Sequence, residues 1–157
     1  MLTNERTDLV RMMQRAMQIA RYVVREINPY VAEVSQLGHD DFLVLHSLVL
    51  GYQSPGAIAD RLARSAPSVA RALRNLEVDG LVRVEDDPID RRKRRAHVTD
   101  AGRARHALAM QASVDRFHAL HPEVAPVNLR AAADALDVVW AQIGRDEGYA
   151  DDPPRRS

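Results

Sequence analysis

The sequence has no cysteine, and aromatic residues make up only 4% of its 157 residues. Without cysteine the chain cannot form a disulfide, sense redox state through a thiolate or bind zinc through sulfur. Its apolar runs are shorter than the roughly 18–20 residues that a membrane span requires. The N-terminal segment lacks the basic-then-apolar pattern of a signal peptide, so we expect a cytoplasmic protein that does not contact membranes.

The charge of the chain is balanced in total but uneven along its length. The formal net charge is zero, from 22 Lys and Arg against 22 Asp and Glu. Between Arg61 and Arg105, however, twelve basic residues stand against seven acidic ones. Because salt screens charges beyond about 8–10 Å, this local excess is what a polyanion would meet.

The most basic part of the chain follows a turn-forming Asp86-Asp87-Pro88 segment and comprises five consecutive cations, Arg91 to Arg95. Adjacent cations repel one another, so the folded protein alone gives little reason to place them together. A polyanion such as DNA would supply one. The alternative is a solvated basic loop.

The segment before these cations has the pattern of two short helices joined by a tight turn. Ser54 and Pro55 start the first helix, which we expect to end near Arg64. Ser65 starts the second, and Gly80 ends it. Residues 81–85 and 95–98 then alternate as two short strands around the basic loop. The sequence therefore predicts a winged helix-turn-helix.

Several motifs of this region resemble the MarR/SlyA family of bacterial transcription regulators. They are Asp90-Arg91-Arg92 in the wing, Val98-Thr99-Asp100-Ala101-Gly102 at the start of a long helix, and the helix-turn-helix segments Ile58–Leu62, Ser65–Leu76 and Asp79–Val82. Val98 stands where the family usually has Leu, and the wing is more basic than the pattern demands. The resemblance implies a DNA-binding homodimer that recognises a palindromic operator in double-stranded DNA.

We therefore predict a mainly α fold with a small β-hairpin wing and dimerisation helices at both ends. A first helix runs from about residue 3 to 28, where Pro29 breaks or kinks it. An almost wholly apolar helix, from residue 40 or 41 to 50, is the buried centre. Thr99 caps a long helix to about Leu120, and a last helix spans about 127 to 143. We assign 1–36 and 121–144 to dimerisation and 37–120 to DNA binding, and expect 145–157 to be disordered.

The first and last helices each carry an apolar stripe. The first stripe runs from Leu9 to Ile27, and the second runs from Leu129 to Ile143 and includes Trp140. These stripes are more apolar than a small monomer could cover, which favours a dimer. Packing of the two helices within one chain is the alternative.

DNA-contacting residues are expected on the exposed face of the second helix and in the wing. We assign this role to Ser65, Pro67, Ser68, Arg71, Arg74, Asn75, Asp90, Arg91, Arg92, Lys93, Arg94 and Arg95. Arg71 suits a guanine edge and Arg92 the minor groove, with Asp90 positioning Arg92 or a neighbour through its carboxylate. The other wing cations would attract phosphates. A solvated face with two arginines is the alternative for the helix.

The resemblance also implies a small phenolic or anionic effector bound between the dimerisation and DNA-binding parts. Candidate pocket residues are Tyr22, Arg25, Tyr30 and His46, although a histidine such as His46 is more often a satisfied core residue. A zinc site at His106, His118 and His121 is a weaker alternative.

The sequence has no Gly-rich phosphate loop, serine elbow or cysteine nucleophile, so we expect no catalytic residues, no cofactor and no metal. The hypothesis is a homodimeric transcriptional regulator, acting as a ligand-released repressor. The rival is a winged-helix protein–protein module that does not bind DNA.

Overall fold

The structure is a computed structural model that describes residues 2–90 and 92–146. Seven α-helices and one β-hairpin follow one another along these residues. In chain order they are α1 (Leu2–Tyr22), a π-helical turn (Val23–Ile27), α2 (Asn28–Ser35), α3 (His39–Val49), α4 (Pro55–Arg61), α5 (Ala66–Val78), β1 (Val82–Asp86), β2 (Arg94–Val98), α6 (Asp100–Leu120) and α7 (Pro126–Asp146). The predicted mainly α fold with a hairpin wing is confirmed.

The expected end of the first helix at Asn28 is wrong, because the chain remains helical through Ser35. The backbone N–H of Asn28 donates to the carbonyl of Val23, five residues earlier, so the helix widens by one residue just before Pro29. Pro29 then lies in the first turn of α2, where its missing N–H costs no helical hydrogen bond. Gln36, in the left-handed conformation with φ 56°, ends α2.

Helix α3 is the buried centre that its apolar sequence predicts. Val44, Leu45 and Leu48 are at most 5% exposed, and α3 packs against both α5 and α6. Ser47 is also buried, and its hydroxyl donates to the carbonyl of Leu43 one turn earlier, so the polar group is satisfied. This core holds the helix-turn-helix and the long helix α6 in one unit.

Helices α4 and α5 form the helix-turn-helix, joined by a turn in which Ala63 adopts φ 47°. This left-handed residue ends α4 at Arg61, three residues before the expected boundary. Ser54 occupies the position before α4, and its carbonyl accepts the N–H of Ile58. The Ser65 side chain caps α5 by accepting the N–H of Ser68, and Gly80 follows the helix with φ 71°.

The wing is an antiparallel hairpin in which Val82 pairs with Val98 and Asp86 with Arg94. Thr99 links the hairpin to α6. Its hydroxyl accepts the N–H of Gly102 at 3.0 Å and donates to the carbonyl of Gly80 at 2.8 Å. The Thr-x-x-Gly motif thus caps α6 and ties that cap to the end of α5.

The terminal helices are longer than the sequence indicates. Helix α7 continues to Asp146, so residues 145 and 146 are helical and not part of a disordered tail. The remainder of that predicted tail, residues 147–157, lies outside the described residues. Among the residues that are described, neither α1 nor α7 packs extensively against another helix of the chain.

Candidate nucleic-acid interface

Helix α5 presents one face to the core and the other to solvent. Val69, Ala72, Leu73 and Leu76 are buried against the rest of the domain. The exposed positions between them, Arg71, Arg74 and Asn75, therefore share the opposite face, as the sequence predicts. We call this exposed surface of α5 the reading face.

The start of α5 borders the same surface. Pro67 is exposed in the first turn, and Ser68 is partly buried. The Ser65 hydroxyl caps the helix by accepting the N–H of Ser68 at 3.4 Å, a bond that uses an oxygen lone pair and leaves the O–H as a donor.

Two carboxylates at the start of α3 lie against the reading face. One Asp40 oxygen is 3.0 Å from Arg64 Nη2, and the other is 3.9 Å from Arg71 Nη2. Both Asp41 oxygens accept from the side-chain amide of Asn75 at 3.4 Å. Partial burial raises the pKa of Asp41, and the bond from Asn75 opposes that shift.

These acidic partners were missed by the sequence analysis. They precede Arg71 and Asn75 by about thirty residues, and nothing in the local pattern relates the two segments. Only the packing of α3 on α5 brings them together.

In the wing, Asp87 organises the turn between the strands. Its carboxylate accepts the N–H groups of Ile89 at 2.7 Å and Asp90 at 3.1 Å, and it binds the Nε of Arg95 at 2.5 Å. These three donors favour the charged form and lower the pKa of Asp87 to about 2. The Asx-turn preference of aspartate is the sequence signal that could have identified this residue.

Three of the wing cations, Lys93, Arg94 and Arg95, have acidic partners within the fold, contrary to the interpretation that the folded protein gives little reason for them. Arg95 binds Asp87, Arg94 lies 3.8 Å from Asp86, and Lys93 lies 3.9 Å from Asp90. The pair of Arg95 is the most buried, with its carboxylate partner only 10% exposed. Arg95 therefore holds the hairpin together, while Lys93 and Arg94 remain largely exposed.

Asp90 contacts Arg92 through the main chain. Its carboxylate accepts the backbone N–H of Arg92 at 3.1 Å, and its carbonyl accepts the N–H of Lys93 at 2.8 Å. Asp90 thus shapes the tip of the wing on which the exposed Arg92 stands. Arg91 lies outside the described residues.

A groove of about 440 Å³ separates the reading face from the wing. Pro55 and Gly56 at the start of α4 form one end, Ala70 and Arg74 of α5 form one wall, and Lys93 and Arg94 form the other. Basic side chains of both predicted DNA-contacting elements therefore line one groove, together with the carboxylate of Glu77.

The four candidate effector residues lie in two separate places. The Tyr22 hydroxyl is 2.8 Å from His121 Nε2, and Arg116 of α6 stacks over the Tyr30 ring, while Arg25 is exposed and bonded to Glu26. His46 instead contacts His106, ten residues before Arg116, which is about 15 Å along α6.

The zinc alternative finds little support among the placed histidines. His106 pairs with His46, His121 contacts Tyr22, and His118 is exposed beside Phe117. In the part of the chain that the structure describes, His, Cys, Asp and Glu residues do not form groups of three or more that could hold a metal ion.

No helix among the described residues is both long and apolar enough to span a membrane.

Comparisons with known proteins agree with this geometry. Residues 37–93 match the family model for the MarR family. The chain is similar in structure to the transcriptional regulator BldR from Sulfolobus solfataricus, with 22% identity, a TM-score of 0.75, and coverage of 86% of this chain and 96% of that one. No curated protein sequence matches the chain.

Two further structures share the fold. Wild-type MarR from E. coli in its apo form has 20% identity and a TM-score of 0.68 over 80% of this chain and 94% of that one. CouR from Rhodococcus jostii RHA1, bound to p-coumaroyl-CoA, has 18% identity and a TM-score of 0.64 over 78% and 87%. The resemblance drawn from the sequence is thereby confirmed: the chain carries a MarR-family segment at residues 37–93 within the fold of MarR-family transcriptional regulators.

Proposed function

We propose that this chain is a non-enzymatic, sequence-specific DNA-binding transcriptional regulator that acts as a homodimer in the cytoplasm. The observation that carries the proposal is the pairing of the reading face with the basic wing across one groove. Arg71, Arg74 and Asn75 would enter the major groove, and Arg92 the adjacent minor groove. Lys93 and Arg94 would meet phosphates.

The homodimer is supported by the apolar surface that the terminal helices leave uncovered. On α1, Leu9, Met13 and Met17 are each more than half exposed, and on α7 Trp140 is 53% exposed. Most of the stability of a helix in a protein comes from packing of its apolar face, so a covering partner is expected. A second copy would cover these stripes and present two reading faces to a palindromic operator.

Selection of binding sites from a randomised duplex pool tests the DNA-binding part. We expect enrichment of one palindromic sequence. A protein that enriches no sequence and leaves a heparin column at low salt would support the protein–protein module instead.

Light scattering tests the assembly. We expect a mass of about 35 kDa, twice the 17.6 kDa of one chain. Trp140→Glu should shift the mass toward the monomer, because an unpaired charge is costly to bury. Trp140→Phe is the control that should leave it unchanged. A wild-type mass of one chain at micromolar concentration would contradict the homodimer.

We also propose that the regulator is a repressor released by a small phenolic or anionic effector. CouR is a related fold that was solved with p-coumaroyl-CoA bound. In this chain Tyr22, Tyr30 and the exposed Arg25 offer hydroxyl and cationic groups near the C-terminal half of α6, whereas His46 lies apart from them. A panel of aromatic acids and acyl-CoA thioesters should raise the unfolding temperature and release DNA, and less so in Tyr30→Leu.

A further inference from the structure

The placement of Asp40 has a consequence for how the reading face distinguishes DNA sequences. One carboxylate lies between two guanidinium groups, at 3.0 Å from Arg64 and 3.9 Å from Arg71. Arg64 stands in the turn that leads into α5, and Arg71 stands at the centre of the reading face. Asp40 therefore lies within ion-pair distance of two exposed cations, one of which belongs to the reading face.

We propose that Asp40 is a specificity-determining positioning residue, which holds Arg64 and Arg71 so that only a well-matched base edge draws Arg71 away. The inference rests on the proposed DNA-binding function. It assigns to an acidic side chain of α3 a positioning role that the sequence analysis gave, among acidic residues, only to Asp90 of the wing.

Arg71 would meet different partners on specific and on non-specific DNA. A guanine edge offers two acceptors in the geometry of the guanidinium fork, and it can displace one distant carboxylate oxygen. A phosphate on a non-specific duplex attracts Arg71 with less directional preference. It must compete with Asp40 for the guanidinium of Arg71, and it is repelled by the negative charge of Asp40. The carboxylate thus weakens binding to non-specific duplexes more than binding to the specific duplex. Such a repulsive element raises specificity.

The neighbouring contact supports the same arrangement. Asp41 accepts from the amide of Asn75, one turn after Arg71, with both carboxylate oxygens 3.4 Å from the amide nitrogen. Asn75 is thereby held with its amide donor toward α3. The two consecutive aspartates thus contact two reading side chains that lie one helical turn apart.

Asp40→Asn tests the proposal, since it removes the charge and keeps a polar side chain that suits the first turn of α3. The probes are the duplex that the wild type selects from a random pool and an unselected 30-bp mixed duplex. Fluorescence anisotropy across a salt series measures both. We expect the unselected duplex to bind about 3- to 10-fold more tightly, with a salt slope steeper by about 1 per subunit for each arginine freed to a phosphate.

The selected duplex should gain less, so the ratio of the two affinities should fall. Asp40→Glu, which keeps the carboxylate, should return the ratio toward the wild-type value. Asp8→Asn is the matched control, because Asp8 also forms an exposed ion pair, 2.8 Å from Arg11, but lies on α1. It removes the same charge and should leave the ratio unchanged.

Equal tightening on both duplexes, which leaves the ratio of affinities unchanged, would show that Asp40 is only a repulsive charge and would overturn its positioning role. Circular dichroism of each variant checks that the fold is kept. A wild type that enriches no sequence would refute the proposed function itself, and that outcome is known before any variant is measured.

Discussion

The backbone of Gly102 faces the carbonyl oxygen of Leu81 so closely that a Cβ on Gly102 would lie 2.1 Å from that oxygen. The same oxygen accepts the N–H of Thr99, so the cap of α6 and the end of the helix-turn-helix meet at one point. The glycine of the Thr-x-x-Gly motif is therefore required by close approach of two backbones.

Gly102→Ala should consequently destabilise the protein, although alanine is the better helix former. The backbone must shift to relieve the contact, and such overpacking costs about 1–3 kcal/mol. Gly56→Ala is the control, because a Cβ there would meet nothing closer than 3.7 Å. It should be neutral or stabilising by up to about 1 kcal/mol. Urea denaturation at one protein concentration compares them, and equal effects at both glycines would refute the explanation.

The carboxyl group of Asp87 should titrate at a much lower pH than that of an ordinary aspartate. Its pKa is lowered to about 2 by Arg95 and two backbone N–H groups, so the charged carboxylate contributes fully to the stability of the fold above pH 3.8. That contribution is lost as the pH falls from 3.8 through about 2. The carboxyl carbon shift measured by NMR should have its midpoint near 2, and a midpoint near 3.8 would mean that the three donors do not hold the carboxylate.

Removal of the same carboxylate should loosen the wing. In Asp87→Ala the N–H groups of Ile89 and Asp90 lose their acceptor, so their hydrogen exchange should accelerate. Asp86→Ala is the matched control, because Asp86 is the preceding residue and has an exposed side chain 3.8 Å from Arg94. Similar acceleration in both variants would indicate a general charge effect.

Arg71→Ala should weaken binding to the selected duplex by about 1–3 kcal/mol and relax the preference at one symmetric position. Its effect on an unselected duplex should be much smaller. Lys93→Ala should instead weaken both duplexes alike, because a phosphate contact carries no sequence information. Anisotropy titrations with the two duplexes separate these cases. If Arg71→Ala weakened binding to both duplexes equally, Arg71 would be a phosphate contact and not a base contact.

The stacked pair of His46 and His106 should make stability depend on pH. Their ring nitrogens are 2.9 Å apart, and Phe42 stacks on both rings. Burial lowers the pKa of each, and for His46 the neighbouring His106 and Arg61 lower it further. The unfolded chain therefore binds protons first as the pH falls through 6.5, and the unfolding temperature should fall with it.

His106→Gln, which places an amide near the ring nitrogen that it replaces, should reduce this pH dependence. His118→Gln is the control, since His118 is exposed on the same helix. An unfolding temperature that falls equally in wild type and His106→Gln between pH 7.5 and 5 would assign the dependence to other groups.

Much of the architecture was determined by the sequence itself, because its signals are local. Ser65 and Thr99 cap the helices that they were predicted to cap, and Gly80 provides the left-handed residue after α5. The reading face follows from the 3.6-residue period, which separates Arg71 and Arg74 from Val69 and Leu73. Capping, turn chemistry and helical period each act within a few residues, so they can be read along the chain.

The tertiary structure alone decided which side chains meet across elements. A widened helical turn let Pro29 lie in the first turn of α2, whereas a local rule predicted a break. Packing of α3 on α5 brought Asp40 to Arg64 and Arg71, and pairing of the two strands turned Arg95 back onto Asp87. These ion pairs join residues far apart in sequence or on different strands, and their geometry depends on the three-dimensional packing. The sequence placed the charges, and the fold determined which of them neutralise one another.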